Sequence, residues 1–325
     1  MEPLALKEIK NAADLVYGFM NPTPQYAWPL LEKAVGAQIW VKHENHTPIG
    51  AFKVRGGITL ANWLRSEFPE IRGVVSATRG NHGQSIARAA KGFGLDARIL
   101  VPLGNSADKN AAMKAFGAEL IEFGSDFDEA RLEAERMSRE EDLFLVPPFH
   151  RELVRGVATY GLELFSELPD LDTVYVPIGC GSGICGLIAV RDALGLDTKI
   201  VGVVAENAPA VKLSYEGGKA TATNTANTFA DGIAVRVTVP EALEIYSGGA
   251  DRIVSVSDTE MAAAVRLYYS TTHNLAEGAG AASLAALFKE RESARNKKIA
   301  VVLSGGNIDA KWFTKIILGG VPDPL

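Results

Sequence analysis

The stretch TVYVPIGCGSGICG, residues 173–186, places an apolar run, a glycine-rich turn and a helical pattern one after another. The apolar run, Thr173–Pro177, has the length and composition of a buried strand. The alternate glycines after it let the backbone wrap around a phosphate, and the N-terminus of the following helix adds positive potential. The stretch therefore predicts a strand, a binding turn and a helix, in that order.

The same succession recurs along the chain. Short β-rich runs predict strands at 38–41, 73–76, 97–101, 119–123, 143–146, 173–177, 199–204, 252–256 and 298–303. Helical spacing predicts helices between most of them, including 52–67, 82–92, 107–115, 127–140 and 257–269. This alternation is typical of an α/β fold in which helices cover both faces of parallel sheets. Residues 21–29 and 216–240 lack periodicity, and functional loops or mobile surface loops would account equally well for them.

Composition excludes several classes of protein. The chain has 325 residues, of which 47% are hydrophobic and 22% charged, with a net charge of -6. Because an anionic chain offers no basic field, we expect neither nucleic acid nor a membrane surface as partner. No apolar run is long enough to span a membrane, and the first residues lack the features of a secretory signal. Two cysteines cannot form a disulfide framework in a chain of this length, so a reducing cytoplasm is the expected setting.

A second strand-to-helix junction lies at GAFKVRGG, residues 50–57. Pro48 and Gly50 predict a turn and a helix that begins near Phe52, which places Lys53 in the first helical turn. The helix dipole is positive at this end and favours the neutral amine, the form of lysine that attacks an aldehyde. Taken alone, however, a lysine at a helix start is usually a solvated side chain.

Two further turns follow predicted strands. The segment RGNHGQS, residues 79–85, offers the free backbone N–H groups of a helix start together with the amide of Asn81, an arrangement that suits a carboxylate. The segment SGGNID, residues 304–309, follows another strand. Each of these, taken alone, is an ordinary helix cap or turn.

The glycines Gly181, Gly183 and Gly186 also have the spacing of a dinucleotide-binding G-x-G-x-x-G motif. That motif requires an acidic residue at the end of the next strand, and the strand predicted at 199–204 ends in valine. A dinucleotide-binding or non-catalytic α/β protein is therefore the alternative from a different functional class.

Taken together, the order of these motifs resembles the fold-type II pyridoxal-phosphate family, in particular its threonine/serine dehydratase and serine racemase branch. The resemblance runs roughly from Tyr26 to Asp309, and its markers are GAFKVRGG, RGNHGQS, GCGSGICG, ADG at 230–232, EGAGAAS from Glu277, and SGGNID. It implies a tryptophan synthase β-like fold of two parallel-sheet domains, with pyridoxal 5′-phosphate in the cleft between them. Residues 1–72 and 149–325 would form the large domain, residues 73–148 a small mobile domain, and two chains a homodimer.

The resemblance also implies roles for single residues. Lys53 would hold the cofactor as an imine, Phe52 would pack beside its pyridine ring, Asn81 would meet the ring hydroxyl and Ser304 the ring nitrogen. The phosphate would lie on Gly179, Cys180, Gly181, Ser182 and Gly183. The substrate would contact Thr78, Arg79, Gly80, Asn81, His82 and Gly232, with the loop at 78–82 holding its carboxylate.

The implied reaction is the loss of water from a β-hydroxy-α-amino acid, followed by hydrolysis of the resulting enamine to a 2-oxo acid and ammonia. Lys53 would remove the α-proton, and the neutral hydroxyl of Ser304 would favour prompt elimination over transamination. Threonine and serine are the default substrates, and a 3-substituted serine such as phenylserine or 3-hydroxyaspartate is the specialised possibility. Racemisation and β-replacement are the alternatives within the same fold.

Two positions depart from the family pattern. Arg79 stands where many relatives have a small residue, often serine, which argues against racemisation. Arg79 would instead pair with a substrate carboxylate or an acidic side chain, or simply point outward. Val204 and Ala210 stand where metal-dependent relatives have Glu and Asp, so we predict no divalent ion there. Because the sequence ends at Leu325, no regulatory domain is expected after the catalytic part.

Overall fold

The computed structural model describes residues 1–324. Its strands are β1 (Gln25–Ala27), β2 (Gln38–His43), β3 (Gly73–Ala77), β4 (Asp96–Val101), β5 (Glu119–Glu122), β6 (Phe144–Leu145), β7 (Thr173–Pro177), β8 (Lys199–Ala205), β9 (Arg252–Val256) and β10 (Lys298–Leu303).

The α-helices lie between and around these strands. They are α1 (Leu6–Tyr17), α2 (Pro29–Val35), α3 (Val54–Glu67), α4 (Asn81–Gly92), α5 (Ala107–Ala115), α6 (Phe127–Glu140), α7 (Arg151–Glu167), α8 (Ser182–Ala193), α9 (Ala210–Gly217), α10 (Pro240–Gly249), α11 (Asp258–Thr272), α12 (Gly278–Lys289), α13 (Arg291–Ala294) and α14 (Ala310–Ile317). Short 3-10 helices occupy Glu44–His46 and Asp231–Ile233.

The larger sheet has six strands in the order β1-β2-β10-β7-β8-β9. All its neighbours are parallel except β1, which pairs antiparallel with β2 at the edge. Alternate residues of its strands enter two separate cores, as Val301 and Val302 of β10 illustrate. Helices therefore cover both faces of this sheet, as the alternating sequence pattern predicted.

The smaller sheet has four parallel strands in the order β5-β4-β3-β6. Its strands come from one continuous segment, residues 73–145, and the chain then returns to the larger sheet through α7 and β7. The predicted α/β fold with parallel sheets is confirmed. The division into a large domain and a small mobile one stays a proposal, which this segregation of strands supports.

Three details differ from the sequence-based prediction. Strand β1 lies inside the stretch 21–29, which showed no periodicity because three residues are too few to show one. The helix expected from Phe52 begins at Val54, so that Lys53 is the residue just before it. The stretch 216–240 contains the end of α9, a 3-10 turn, the first residue of α10 and an isolated β-bridge between Ala222 and Val237. None of the helices within residues 1–324 combines the length and apolar character needed to cross a membrane.

Candidate active site

The loops that carry the predicted site residues meet at one edge of the larger sheet. Strands β2 and β10 are parallel neighbours, and Leu303 at the end of β10 lies beside His43 at the end of β2. The loops that follow them therefore touch: Ala51 forms a β-bridge with Gly305, and the backbone N–H of Phe52 donates to the carbonyl oxygen of Ser304 at 3.0 Å. Strand β7 is the next neighbour of β10 and delivers its glycine-rich turn to the same edge.

Lys53 lies between the two sheets. Its Nζ is 5.0 Å from the centre of the Phe52 ring, and its carbonyl oxygen accepts a 2.6 Å hydrogen bond from the hydroxyl of Ser85 on α4. Burial lowers the pKa of the Lys53 amine, while the nearby Cys180 and Glu277 oppose that shift. Since a neutral amine is the nucleophilic form, the position suits attack on a carbonyl group.

The glycine-rich turn between β7 and α8 is closely surrounded at Gly179 and Gly181. Gly181 has a φ of 103°, and a Cβ atom on Gly179 would lie 2.3 Å from the carbonyl oxygen of Gly232. Ser182 then begins α8 and is buried. A narrow backbone cradle at a helix N-terminus is a site for a phosphate group.

Phe52 connects this cradle to the lysine. The hydroxyl of Tyr160 donates to the carbonyl oxygen of Gly183 at 2.9 Å. The ring of the same tyrosine packs edge-to-face on Phe52, with 6.2 Å between centroids. The predicted cofactor-binding residues from both loops thus lie within one continuous set of contacts.

Two cysteines lie in or beside the cradle, and both are free thiols. Cys180 is partly buried, and burial raises the pKa of its thiol although the charge of Lys53 lowers it. Cys185 is fully buried in the core. Because a raised pKa disfavours the thiolate, neither residue has the properties of a nucleophile.

The loop at 78–82 reaches the cleft from the smaller sheet. The hydroxyl of Thr78, which is buried, accepts a hydrogen bond from the backbone N–H of Gly80 at 3.1 Å. Burial, together with the charge of Lys53, lowers the pKa of His82 to about 3, which keeps its imidazole neutral. Its Nε2 is buried and finds no partner among residues 1–324. Arg79 is partly buried and forms no ion pair with any residue that the structure describes.

Four residues of this region had no role in the sequence analysis. They are Lys109, Asp231, Glu277 and Asn307. Glu277 accepts a 2.6 Å hydrogen bond from the side chain of Asn81, and Lys109 forms a 2.7 Å ion pair with Asp231. Burial raises the pKa of Glu277 to about 7, while Lys109 works in the opposite direction.

A sequence signal existed for three of these four residues. Asp231, Glu277 and Asn307 are charged or amide residues inside the markers ADG, EGAGAAS and SGGNID. A charged or amide side chain within a run of small residues has space to reach a ligand or a neighbouring loop. Lys109 lies on α5 in an ordinary helical pattern, and nothing in its sequence neighbourhood distinguishes it.

Comparison with known proteins identifies the kind of site. A family model described as "Pyridoxal-phosphate dependent enzyme" matches residues 16–305. The chain belongs to this family. The L-threonine ammonia-lyase of Thermotoga maritima is 34% identical, over 98% of this chain and 79% of that protein. The L-threo-3-hydroxyaspartate ammonia-lyase of Saccharomyces cerevisiae is 29% identical, over 98% and 97%. The structure of maize serine racemase superposes with a TM-score of 0.89 at 25% identity, covering 98% of both chains.

The predicted family, fold type and cofactor are thereby confirmed, and the enzyme depends on pyridoxal phosphate. The residues present fit that group: a desolvated lysine amine can receive its aldehyde, and a turn in which Gly179 and Gly181 leave no space for a Cβ can receive its phosphate on the backbone. The roles given above to individual residues stay predictions.

Proposed function

We propose that the protein is an ammonia-lyase that converts a β-hydroxy-α-amino acid to a 2-oxo acid and ammonia. The observation that carries the proposal is the buried Lys53 amine beside the glycine cradle and the neutral Ser304, in a family that includes threonine and 3-hydroxyaspartate ammonia-lyases. In this arrangement Lys53 would hold the aldehyde of the cofactor, Phe52 would pack beside its pyridine ring, and the turn at 179–183 would bind its phosphate.

When bound, the cofactor supplies an aldehyde that joins an amine and a conjugated ring that draws electrons from the α-carbon. Lys53 is the base: its neutral amine removes the α-proton of the substrate and carries it afterwards. Ser304 would meet the ring nitrogen with a hydroxyl rather than a carboxylate, which would favour rapid loss of the β-hydroxyl. Its departure as water takes up one proton, which balances the proton that Lys53 removes from the α-carbon. The backbone N–H groups of the loop at 78–82 orient the substrate carboxylate.

Arg79 supports a substrate with a second carboxylate. Its guanidinium has no acidic partner among residues 1–324, although it lies in the loop assigned to the substrate. The planar guanidinium group matches the geometry of a carboxylate and can donate two parallel hydrogen bonds to it. We therefore place a 3-hydroxyaspartate-like acid first, followed by threonine and serine, and then by phenylserine.

The proposal is tested with purified holoenzyme and a coupled assay for 2-oxo acids. Threonine, serine, phenylserine and 3-hydroxyaspartate are compared at equal concentrations, with the Lys53→Ala variant as control. We expect a 2-oxo acid and equimolar ammonia from at least one substrate, and none with the variant. Failure with all four substrates would overturn the proposal.

Racemisation is the second candidate, because a serine racemase structure superposes closely on this chain. The replacement of a small residue by Arg79 argues against it, since the guanidinium is a poor proton donor to the second face of the α-carbon. Chiral analysis of the remaining amino acid decides the question: inversion faster than 2-oxo acid formation would favour the racemase. β-Replacement would appear in the same assay as a new amino acid when a thiol is added.

The metal-free prediction concerns the start of α9. Val204 and Ala210 are buried and apolar, so their side chains provide no oxygen ligand for Mg²⁺ or Ca²⁺. We propose that activity persists after chelation and that added Mg²⁺ does not raise it. Activation by Mg²⁺ beyond about twofold would contradict this.

Assembly and location complete the proposal. Helices α2 and α14 both pack on α11. Leu30, Tyr269 and Ile317 on these helices, and Leu318 just after α14, have relative exposures of 60, 43, 40 and 81%. A patch of large apolar side chains of this kind is typical of an interface between subunits. We propose that the enzyme is a homodimer in the cytoplasm. A molecular mass in solution equal to that of one chain would exclude the homodimer.

A further inference from the structure

We propose that Glu277 and Asn307 are positioning residues that fix the side-chain amide of Asn81 in one orientation, with a single N–H left free for the cofactor. The inference rests on the proposed function, in which Asn81 meets the ring oxygen of pyridoxal phosphate. It concerns two side chains to which the family resemblance gave no role.

The orientation is anchored at a backbone carbonyl. The Nδ2 of Asn307 donates to the carbonyl oxygen of Ile49 at 2.7 Å, and a carbonyl can only accept. The same Nδ2 also donates to the Oδ1 of Asn81 at 2.8 Å, which uses its second hydrogen. A flipped Asn307 would set its own oxygen against that of Ile49, so the backbone determines which way both amides face.

Glu277 completes the arrangement from α12. Its Oε1 accepts from the Nδ2 of Asn81 at 2.6 Å. In the flipped orientation the oxygen of Asn81 would face this carboxylate, while its NH₂ group would face that of Asn307. Both contacts would be repulsive, and because Glu277 is 8% exposed, little water is available to relieve them.

The carboxylate itself has little freedom to move. A Cβ atom on Gly305 would lie 2.4 Å from the Oε1 of Glu277, so the side chain packs directly on the backbone of the loop that carries Ser304. Asn81 begins α4 beside the smaller sheet, whereas Glu277 immediately precedes α12 and Asn307 lies in the loop after β10 of the larger sheet. The amide is therefore held from across the cleft.

The hydrogen-bond count leaves one free donor. An amide NH₂ group has two hydrogens, and Glu277 takes one of those on Asn81. The second is available to the ring oxygen of the cofactor, whose anionic form such a donor stabilises. Misorientation of Asn81 would present an acceptor instead and would raise the proton affinity of that oxygen.

The test is the pH titration of the visible absorption band of the holoenzyme without substrate, which reports the protonation of the cofactor where it is joined to Lys53. Asn81→Ala sets the size and direction of the shift caused by losing the donor. Asn307→Asp keeps the shape but cannot donate to Asn81, and we expect it to reproduce at least half of that shift, on the order of one pH unit. Glu277→Leu, which removes the acceptor, should do the same.

Glu277→Gln is the matched control, since its amide oxygen can still accept from Asn81 although its charge is gone. We expect a midpoint within about 0.3 pH units of the wild type, a free-energy difference below about 0.5 kcal/mol. Thermal unfolding of each holoenzyme identifies variants that fail to fold. If Glu277→Leu fails to fold, the isosteric variants Asn307→Asp and Glu277→Gln are sufficient for the test.

The outcomes separate two kinds of failure. If Asn81→Ala shifts the band while Asn307→Asp and Glu277→Leu do not, the positioning role is wrong and the proposed function stands. If Asn81→Ala leaves the band unchanged, Asn81 does not meet the ring oxygen, and both its proposed role and this inference are overturned. A shift with Glu277→Gln equal to that of Glu277→Leu would mean that the charge acts, and not the orientation.

Discussion

At the scale of single residues, Lys53 shows why its chemistry is only half visible in the sequence. The helix-start position pointed to a neutral amine, but the dominant cause of the lowered pKa is burial between two sheets. Burial depends on loops that lie far apart in the chain, such as that of Cys180, and no local pattern reports it. The sequence motifs identified Lys53, but its reactivity is explained only by the way the loops that carry these motifs surround it in the folded protein.

Arg79 gives a prediction at the same scale. Arg79→Ala should lower kcat/KM for 3-hydroxyaspartate roughly 10- to 150-fold, the effect of losing a charged hydrogen-bonded partner worth about 1.5–3 kcal/mol. The value for threonine should change less than about threefold, because threonine has no second carboxylate, and Arg79→Lys should recover part of the loss. Equal values for wild type and variant with both substrates would exclude a role in substrate binding.

The glycine cradle gives a second prediction. In Gly179→Ala the new Cβ would lie 2.3 Å from the carbonyl oxygen of Gly232, and overpacking of this kind costs about 1–3 kcal/mol. We expect the dissociation constant of the cofactor, measured by equilibrium dialysis, to rise roughly tenfold to a hundredfold. Gly248→Ala is the control, since Gly248 is exposed on α10 and a Cβ there meets nothing within 4 Å. Unchanged cofactor affinity in Gly179→Ala would contradict the assigned phosphate site.

At the scale of secondary-structure elements, a buried charge network holds α3 in place below Lys53. The guanidinium of Arg55 is fully buried and pairs with Glu44 at 2.7 Å and with Glu163 of α7 at 2.6 Å. Lys42 of β2 also pairs with Glu163 at 2.6 Å. Two cations and two carboxylates thus balance within the core, and they join β2, α3 and α7 around the lysine-bearing loop.

Arg55→Met should destabilise the protein by about 3–5 kcal/mol, because it leaves two buried carboxylates with one cation. Urea unfolding followed by circular dichroism measures this. Arg131→Met is the control, because the ion pairs of Arg131 are exposed to solvent and their removal should cause no comparable loss of stability. A midpoint for Arg55→Met that matches the control would mean that the network does not hold α3.

The same network predicts a dependence on pH. Burial raises the pKa of Glu163, but the attraction of Arg55 and Lys42 outweighs it, so the net pKa lies below the usual 4.5. A carboxyl group whose pKa is lower in the folded state than in the unfolded state stabilises the folded protein at pH values above its unfolded-state pKa. This stabilisation is lost as the pH falls through the folded-state pKa. Stability should therefore fall below about pH 4.5, and Arg55→Met should flatten this fall. An equally steep acid loss in the variant would contradict the assignment.

How much of the fold the sequence predicts depends on the kind of element. The strands Thr173–Pro177 and Lys298–Leu303 were predicted to the residue, because buried parallel strands are nearly continuous apolar runs bounded by turns. The edge strand Arg252–Val256 was also predicted to the residue, although it is only partly buried. Strand β1 is defined by its pairing with β2, and a run of three residues is too short to indicate that pairing in the sequence. The polar residues in the glycine-rich markers were visible, but their partners across the cleft were not.

At the scale of the whole molecule, polar contacts join the segment of the smaller sheet to the rest of the protein. Lys109 on α5 pairs with Asp231, and the hydroxyl of Ser106 donates to Asp309 at 2.6 Å. The ammonium group of Lys109 is buried, and burial lowers its pKa. The charges of Asp231 and Glu277 outweigh this effect and raise the pKa above its usual value, so the group remains charged. We expect these contacts to hold the cleft closed over the substrate.

Lys109→Met tests that expectation. Loss of about 1–2 kcal/mol of local stability should speed hydrogen exchange in α5 and around Asp231 roughly 5- to 30-fold, measured by mass spectrometry. Lys114→Met is the matched control, because Lys114 is exposed on the same helix and forms no ion pair within residues 1–324. If both variants exchange at the wild-type rate, the ion pair does not control opening of the cleft.

The attachment of the cofactor to Lys53 is tested most directly by chemical trapping. Reduction of the holoenzyme with borohydride makes the bond between a lysine and the cofactor permanent, and mass spectrometry of the digested protein then locates the label. We expect the label on the peptide that contains Lys53, and no label at all in Lys53→Ala. A label on any other lysine, or an unlabelled Lys53 in active enzyme, would contradict it.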